Sequence, residues 1–134
     1  MSVLVTDKGF ATVPETHAVA LADIASHQGA VNLAHTDDPE LLNDYLSQLT
    51  LIRISFPAFS DGRAFTIARR LRALGFTGHL RAVGPVIVDQ YPMARRTGFD
   101  DVEIPDELAA RQPEAQWISR ADWKAHDYQS RLRA

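Results

Sequence analysis

Two stretches of the chain gather residue types suited to holding an anion. The first is Phe56-Pro57-Ala58-Phe59-Ser60-Asp61-Gly62-Arg63; the second is Arg81-Ala82-Val83-Gly84-Pro85, leading to Asp89-Gln90. Pro57 fixes the exit from an apolar run, Gly62 permits close backbone approach, and Arg63 falls in the first turn of an expected helix. A guanidinium offers planar, two-pronged hydrogen bonding to an oxyanion, and the free amides of a helix start attract the same charge. Asp61, Gly62, Arg63, Arg81, Asp89 and Gln90 are therefore the candidate ligand-binding residues, and sulfite, sulfate or phosphate the candidate ligands. A structural reading competes with this one. Arg81 lies inside an otherwise apolar run, and a buried arginine needs a carboxylate, which Asp61 or Asp89 would supply. Asp61 also suits a plain helix-capping role.

Charge is distributed unevenly around these stretches. From Arg53 to Arg96 all eight basic residues are arginine, opposed only by Asp61 and Asp89, a local charge of +6 in a chain of formal charge −3. The acidic remainder argues against long-range attraction to nucleic acid, while a local anion site stays open. The simplest alternative is that these arginines merely decorate solvated helix faces.

Other chemistries lack their residues. There is no cysteine, which excludes disulfides, iron–sulfur clusters, thiolate zinc sites and a cysteine nucleophile from this chain. His17, His27, His35, His79 and His126 show no paired metal-ligand spacing, so no metal is expected. No Gly-rich dinucleotide fingerprint, phosphate loop or nucleophile elbow is present, and no catalytic residue or cofactor is identified. No apolar run approaches the ~20 residues of a membrane span, and the start lacks a signal pattern, so the expected location is the cytoplasm. Trp117, Trp123 and Tyr128 near the end fit a core-covering helix or, as a second option, a homodimer contact.

The elements that must position these residues follow from patterning. Val3–Thr6 and Phe10–Val13 flank Asp7-Lys8-Gly9 and read as an N-terminal β-hairpin. Ala18–Ser26 reads as a short helix ended by Gly29, and Ala30–Ala34 as a brief strand. Asp38-Pro39 starts a helix with an apolar stripe of Leu41, Leu42, Tyr45, Leu46 and Leu49. Leu51–Phe56, His79–Val83 and Asp101–Ile104 read as strands. A helix capped by Ser60 or Asp61 runs to about Leu74, and another from about Ile87 to Arg96 is weakened by Pro92. Pro105-Asp106 opens an acidic turn, and Ser119 caps a last helix through Gln129. Alternating strands and helices imply a single α/β domain over residues 1–134, with a mainly parallel sheet of about four strands built from βαβ units plus the hairpin.

The central residues also carry a family likeness. Phe56-Pro57-x-Phe59-x-Asp61-Gly62-Arg63, then Ala68-x-x-Leu71-Arg72, Gly78-x-Leu80-Arg81-Ala82-x-Gly84, Asp89-Gln90 and Arg96-x-Gly98-Phe99-Asp100 resemble the bacterial domain-of-unknown-function 934 family over roughly residues 50–104. Members are commonly labelled probable oxidoreductases of sulfite reduction because their genes lie beside those of assimilatory sulfite reductase and the sulfonucleotide reductase. The resemblance thus implies an accessory protein of sulfate or sulfite reduction, binding one of those reductases or a small oxyanion. The alternative it implies is a flavin- or nicotinamide-assisted oxidoreductase. The chain departs from the family at three places: His79 stands where many relatives have Glu, Pro85 where Asp is frequent, and Thr97 where Cys is frequent. A redox role resting on that cysteine cannot operate here. Any family site transfers onto Asp61, Gly62, Arg63, Arg81, Asp89 and Gln90.

Overall fold

The computed structural model of the chain describes residues 2–58 and 62–121. Strands β1 (Ser2–Thr6) and β2 (Gly9–Ala11) form the expected hairpin, with Thr6 opposite Gly9. Five further strands follow: β3 (Val19–Ala20), β4 (Ala30–Leu33), β5 (Leu51–Ser55), β6 (His79–Val83) and β7 (Asp101–Pro105). Together they make a seven-stranded mixed sheet in the order β2-β1-β7-β6-β5-β4-β3. Neighbours from β3 to β7 run parallel, while β1 joins β7 antiparallel through Val3 opposite Ile104.

The architecture is α/β, but it differs from four parallel strands with an appended hairpin. The hairpin is part of the sheet, and the two-residue strand β3 adds a fifth parallel member. Within the stretch read as one helix from Ala18, Val19 and Ala20 pair with β4, and only Leu21–Ser26 turn into a 3₁₀ helix. A two-residue strand leaves no period for a sequence pattern to reveal.

Parallel strands that neighbour one another in chain order place every right-handed crossover on one side of the sheet. The buried residues bear this out. Val31, Leu33, Ile52, Ile54, Leu80, Ala82, Val102 and Ile104, alternate residues of their strands, share one cluster with Phe65 and Leu71 of helix α1 (Arg63–Ala73) and Tyr91 and Ala94 of helix α2 (Tyr91–Thr97). Leu108 of α3 (Asp106–Arg111) and Trp117 of α4 (Glu114–Arg120) belong to it too. The intervening residues of the strands face the other side, which none of these helices covers.

Several local devices hold the helix layer. Asp38 accepts a hydrogen bond from the Glu40 amide and Pro39 follows it, as expected, but the helix they start is a 3₁₀ helix, Pro39–Tyr45. Its tighter winding brings Leu42 inside and leaves Leu41 61% exposed. Gly62 stands at the N-cap of α1; Ser60 and Asp61, the expected caps, lie outside the described residues. A short 3₁₀ turn, Val88–Gln90, precedes α2, so Pro92 sits in the first turn of that helix, where its missing amide costs nothing. The last helix among the described residues begins at Glu114 and contains Ser119, whose hydroxyl donates back to the Gln116 carbonyl; the rest of the helix expected through Gln129 lies outside those residues. Trp117 is fully buried, edge-on to Tyr91, with its indole N–H on the Gln112 carbonyl 2.7 Å away. Trp123, Tyr128 and Gln129 lie outside the described residues.

Candidate functional site

Strand register decides the surroundings of Arg81. Asn32, Arg53, Arg81 and Asp101 are successive partners across β4, β5, β6 and β7, so the four form one row across the face opposite the described helices. Two guanidinium groups on adjacent strands would repel each other unless neutralised. Asp101 grips Arg81 with both oxygens, at 2.9 and 3.2 Å, and also takes a 2.7 Å hydrogen bond from His79. Glu103, two residues further along β7, bonds Arg53 at 2.9 Å and accepts from the Ser2 hydroxyl at 3.0 Å. Arg53 gives its other nitrogen to Asn32 at 2.8 Å.

This network is mostly inside the protein: Arg81 is 6% exposed, Asp101 3% and Glu103 8%. Burial by itself would raise the pKa of Asp101, but the hydrogen bonds from His79 and Arg81 outweigh it and hold the carboxyl below its usual range. Among the described residues the carboxylate partner of Arg81 is thus Asp101, and Asp89 does not take that part. The signal for it lay in the sequence: Asp101 and Glu103 alternate with Val102 and Ile104, the pattern of a strand with one charged face.

The remaining candidates lie elsewhere. Asp89 pairs with Arg120 of α4 at 2.9 Å, on the surface. The Gln90 side chain accepts from the Ile87 amide at 3.1 Å and closes the turn before α2. Gly62 and Arg63 begin α1, on the opposite side of the sheet from the Arg81 side chain. Arg63 lines a groove between α1 and the loop after β4, together with His35, Thr36, Asp37, Pro39, Thr66, Ile67 and Arg70. Asp61 lies outside the described residues. Arg63 and Arg81, both candidates for one anion site, have separate surroundings, because Arg81 leaves its strand on the face opposite the described helices.

Other motif residues are fold determinants. Arg72 donates to the carbonyls of Phe76 and Gly78 at 3.0 and 2.8 Å and to the carbonyl of Gly98 at 2.8 Å, and it pairs with Asp100 at 2.9 Å. It therefore ties the end of α1 to the turns before β6 and β7. Gly84 has φ +137°, and a Cβ there would lie 2.1 Å from the Phe56 carbonyl oxygen, so only glycine fits. Phe56, Phe65 and Phe99 pack ring to ring within the core. Tyr91 and Arg95 both hold Asp7, fastening the β1–β2 turn to α2; burial and that carboxylate push the Tyr91 phenol well above its ordinary pKa. Thr97 is buried and donates to the Ala94 carbonyl at 3.0 Å.

A family model described as a bacterial protein of unknown function, DUF934, matches residues 30–134. The chain belongs to the DUF934 family. The match begins at β4 and so takes in the parallel strands β4–β7, the Arg72 tie and the charged row, whereas the hairpin and β3 precede it. No curated protein and no solved structure matches the chain. Among the described residues no helix is long and apolar enough to cross a membrane, and no group of three His, Asp or Glu side chains is placed to hold a metal ion.

What the DUF934 chain presents outward is therefore narrower than its arginine content suggests. Arg53, Arg70, Arg72, Arg81 and Arg95 are each engaged in an internal ion pair. Arg69 on α1 and Arg96 on α2 are exposed and form no ion pair among the described residues. Arg72 reaches Gly98 from the side of α1 that faces α2, and Arg95 reaches Asp7 from the far side of α2. At 100° per residue, Arg69 then lies on the α2 side of α1, and Met93 and Arg96 lie on the outer, α1-facing side of α2. Met93 is 51% exposed.

Proposed function

We propose that the protein is an accessory component of sulfate or sulfite assimilation that docks an acidic surface of a reductase partner through the outer faces of α1 and α2. What supports this reading is that two guanidinium groups on neighbouring helices, Arg69 of α1 and Arg96 of α2, and the apolar side chain of Met93 on α2 are all exposed. Arginine and methionine are both enriched in protein interfaces, and charge complementarity speeds and orients encounter. The pathway comes from the genomic company that the sequence resemblance implies; the matching family model is itself described as of unknown function.

The test uses purified sulfite reductase and sulfonucleotide reductase as immobilised partners. One of them binds the wild-type chain with an affinity that falls steeply with salt, and Arg69→Glu with Arg96→Glu weakens it at least about tenfold. Equal binding by the double variant, or none by the wild type, overturns the reading. The oxidoreductase alternative calls for a bound flavin or nicotinamide, which the absorption spectrum and mass spectrometry of the purified protein detect directly.

A further inference from the structure

The connection between β2 and β3 is short for the distance it covers. These strands are the two edges of the sheet, six strand spacings apart, or about 29 Å at about 4.8 Å each. The eight steps from Ala11 to Val19 reach at most about 26–29 Å when fully extended. Residues 12–18 are therefore drawn out almost straight. They have no slack for a detour over the helices, which add a layer about 10 Å thick on one side. The direct line runs over the opposite face. It starts at Ala11, level with Glu103 near the carboxyl end of the parallel strands, and ends at Val19, level with Leu80 toward their amino end. Midway along it lies β6, the middle strand of the sheet, which carries Arg81.

Burial on that face follows the same diagonal. Arg81 and Asp101 are buried although no described helix covers them, and so is Leu4, which pairs with Glu103 and lies outside the core cluster under the helices. Ser55, at the carboxyl end of β5 and off the diagonal, is exposed. The segment itself is lightly held. Pro14, Glu15, Thr16 and His17 are exposed, and only Val13 and Ala18 are half-buried. Among the described residues, residues 13–17 make no backbone–backbone hydrogen bond to the rest of the chain, and the Thr16 hydroxyl donates only to the Pro14 carbonyl, 3.3 Å away.

We propose that residues 12–18 are a strap that seals the charged row from water and opens without the sheet unfolding, exposing Arg53 and Arg81. A segment with few buried apolar contacts and no hydrogen bonds to its surroundings opens at far lower cost than a core strand. The ladders joining β5, β6 and β7 do not involve the strap, so they persist when it lifts. The row then regains water, and its paired charges become an outward polar surface. The strap lies opposite α1 and α2, so the proposal does not rest on the docking reading above.

The reporter is the Nε–H of Arg81, which donates to Asp101 at 2.9 Å; the control is the Nε–H of Arg72, on the Gly98 carbonyl at 3.1 Å. Hydrogen exchange at both is followed by NMR in the full chain. In urea well below the unfolding midpoint, exchange at Arg81 stays nearly constant while that of the β5 amides rises with global unfolding. Inserting Gly-Ser-Gly between Glu15 and Thr16 lengthens the strap and speeds exchange at Arg81 at least about tenfold, with Arg72 changed by less than about twofold. Pro14→Gly loosens the strap without lengthening it and acts in the same direction by about two- to fivefold, so the test stands even if the longer strap fails to fold. Equal acceleration at Arg81 and Arg72, no acceleration at Arg81, or one urea dependence shared by Arg81 and β5 overturns the proposal.

Discussion

On the face of the sheet opposite the described helices, Arg53 and Arg81 stand on neighbouring strands and are each met by a carboxylate of β7; on the outside of the helix layer, Arg69 and Arg96 meet none among the described residues. The residue type is the same in both regions, and only the environment differs. A charge taken out of water must be paired and hydrogen-bonded at once, whereas a charge left in water is already solvated and remains available to a partner. Arginine content in such a chain is therefore no measure of anion-binding capacity until the internal pairs have been subtracted.

The comparison can be broken most forcefully at Asp101. Replacing it by Asn leaves Arg81 buried without its counter-charge, and the expected loss is about 3–5 kcal/mol, read from urea unfolding midpoints. A loss below about 1 kcal/mol would show that the row is solvated like the outer face. Acid provides a gentler version of the same test. Because the carboxyl is held below its ordinary value of 3.8, its contribution to stability is complete above the unfolded pKa and is lost as pH falls through the folded one. Wild-type stability should therefore drop as pH falls below about 4 by more than that of Asp101→Asn, as followed by thermal melts at decreasing pH. The smallest effect belongs to the outer face: Arg69→Gln and Arg96→Gln should each leave the melting profile within about 0.5 kcal/mol of wild type. A larger loss would mean that these arginines also hold the fold.

Much of the fold was legible because it rests on short-range rules. The strands at residues 51, 79 and 101, the hairpin turn at Asp7-Lys8-Gly9, the Asp38 cap and the Gly98 helix stop follow from alternation, turn chemistry and capping, which act within a few residues. What escaped depended on register or brevity. Val19–Ala20 is too short to show a period, and Leu41 turns outward because the helix winds as 3₁₀. The expected loops put Asp61 and Asp89 closest to Arg81 along the chain, whereas its partner Asp101 lies on the next strand.

The amino-acid order on its own determined that the chain alternates strands with helices, that it supplies no thiol chemistry, and that its cationic side chains are concentrated in one central stretch. Only the tertiary structure decided which of those cations are spent inside and which face outward. The physical reason is that a strand sends successive side chains to opposite faces, so one residue of offset separates Arg81 from the core that Leu80 and Ala82 enter, while the partner across the sheet is chosen by register between segments twenty residues apart.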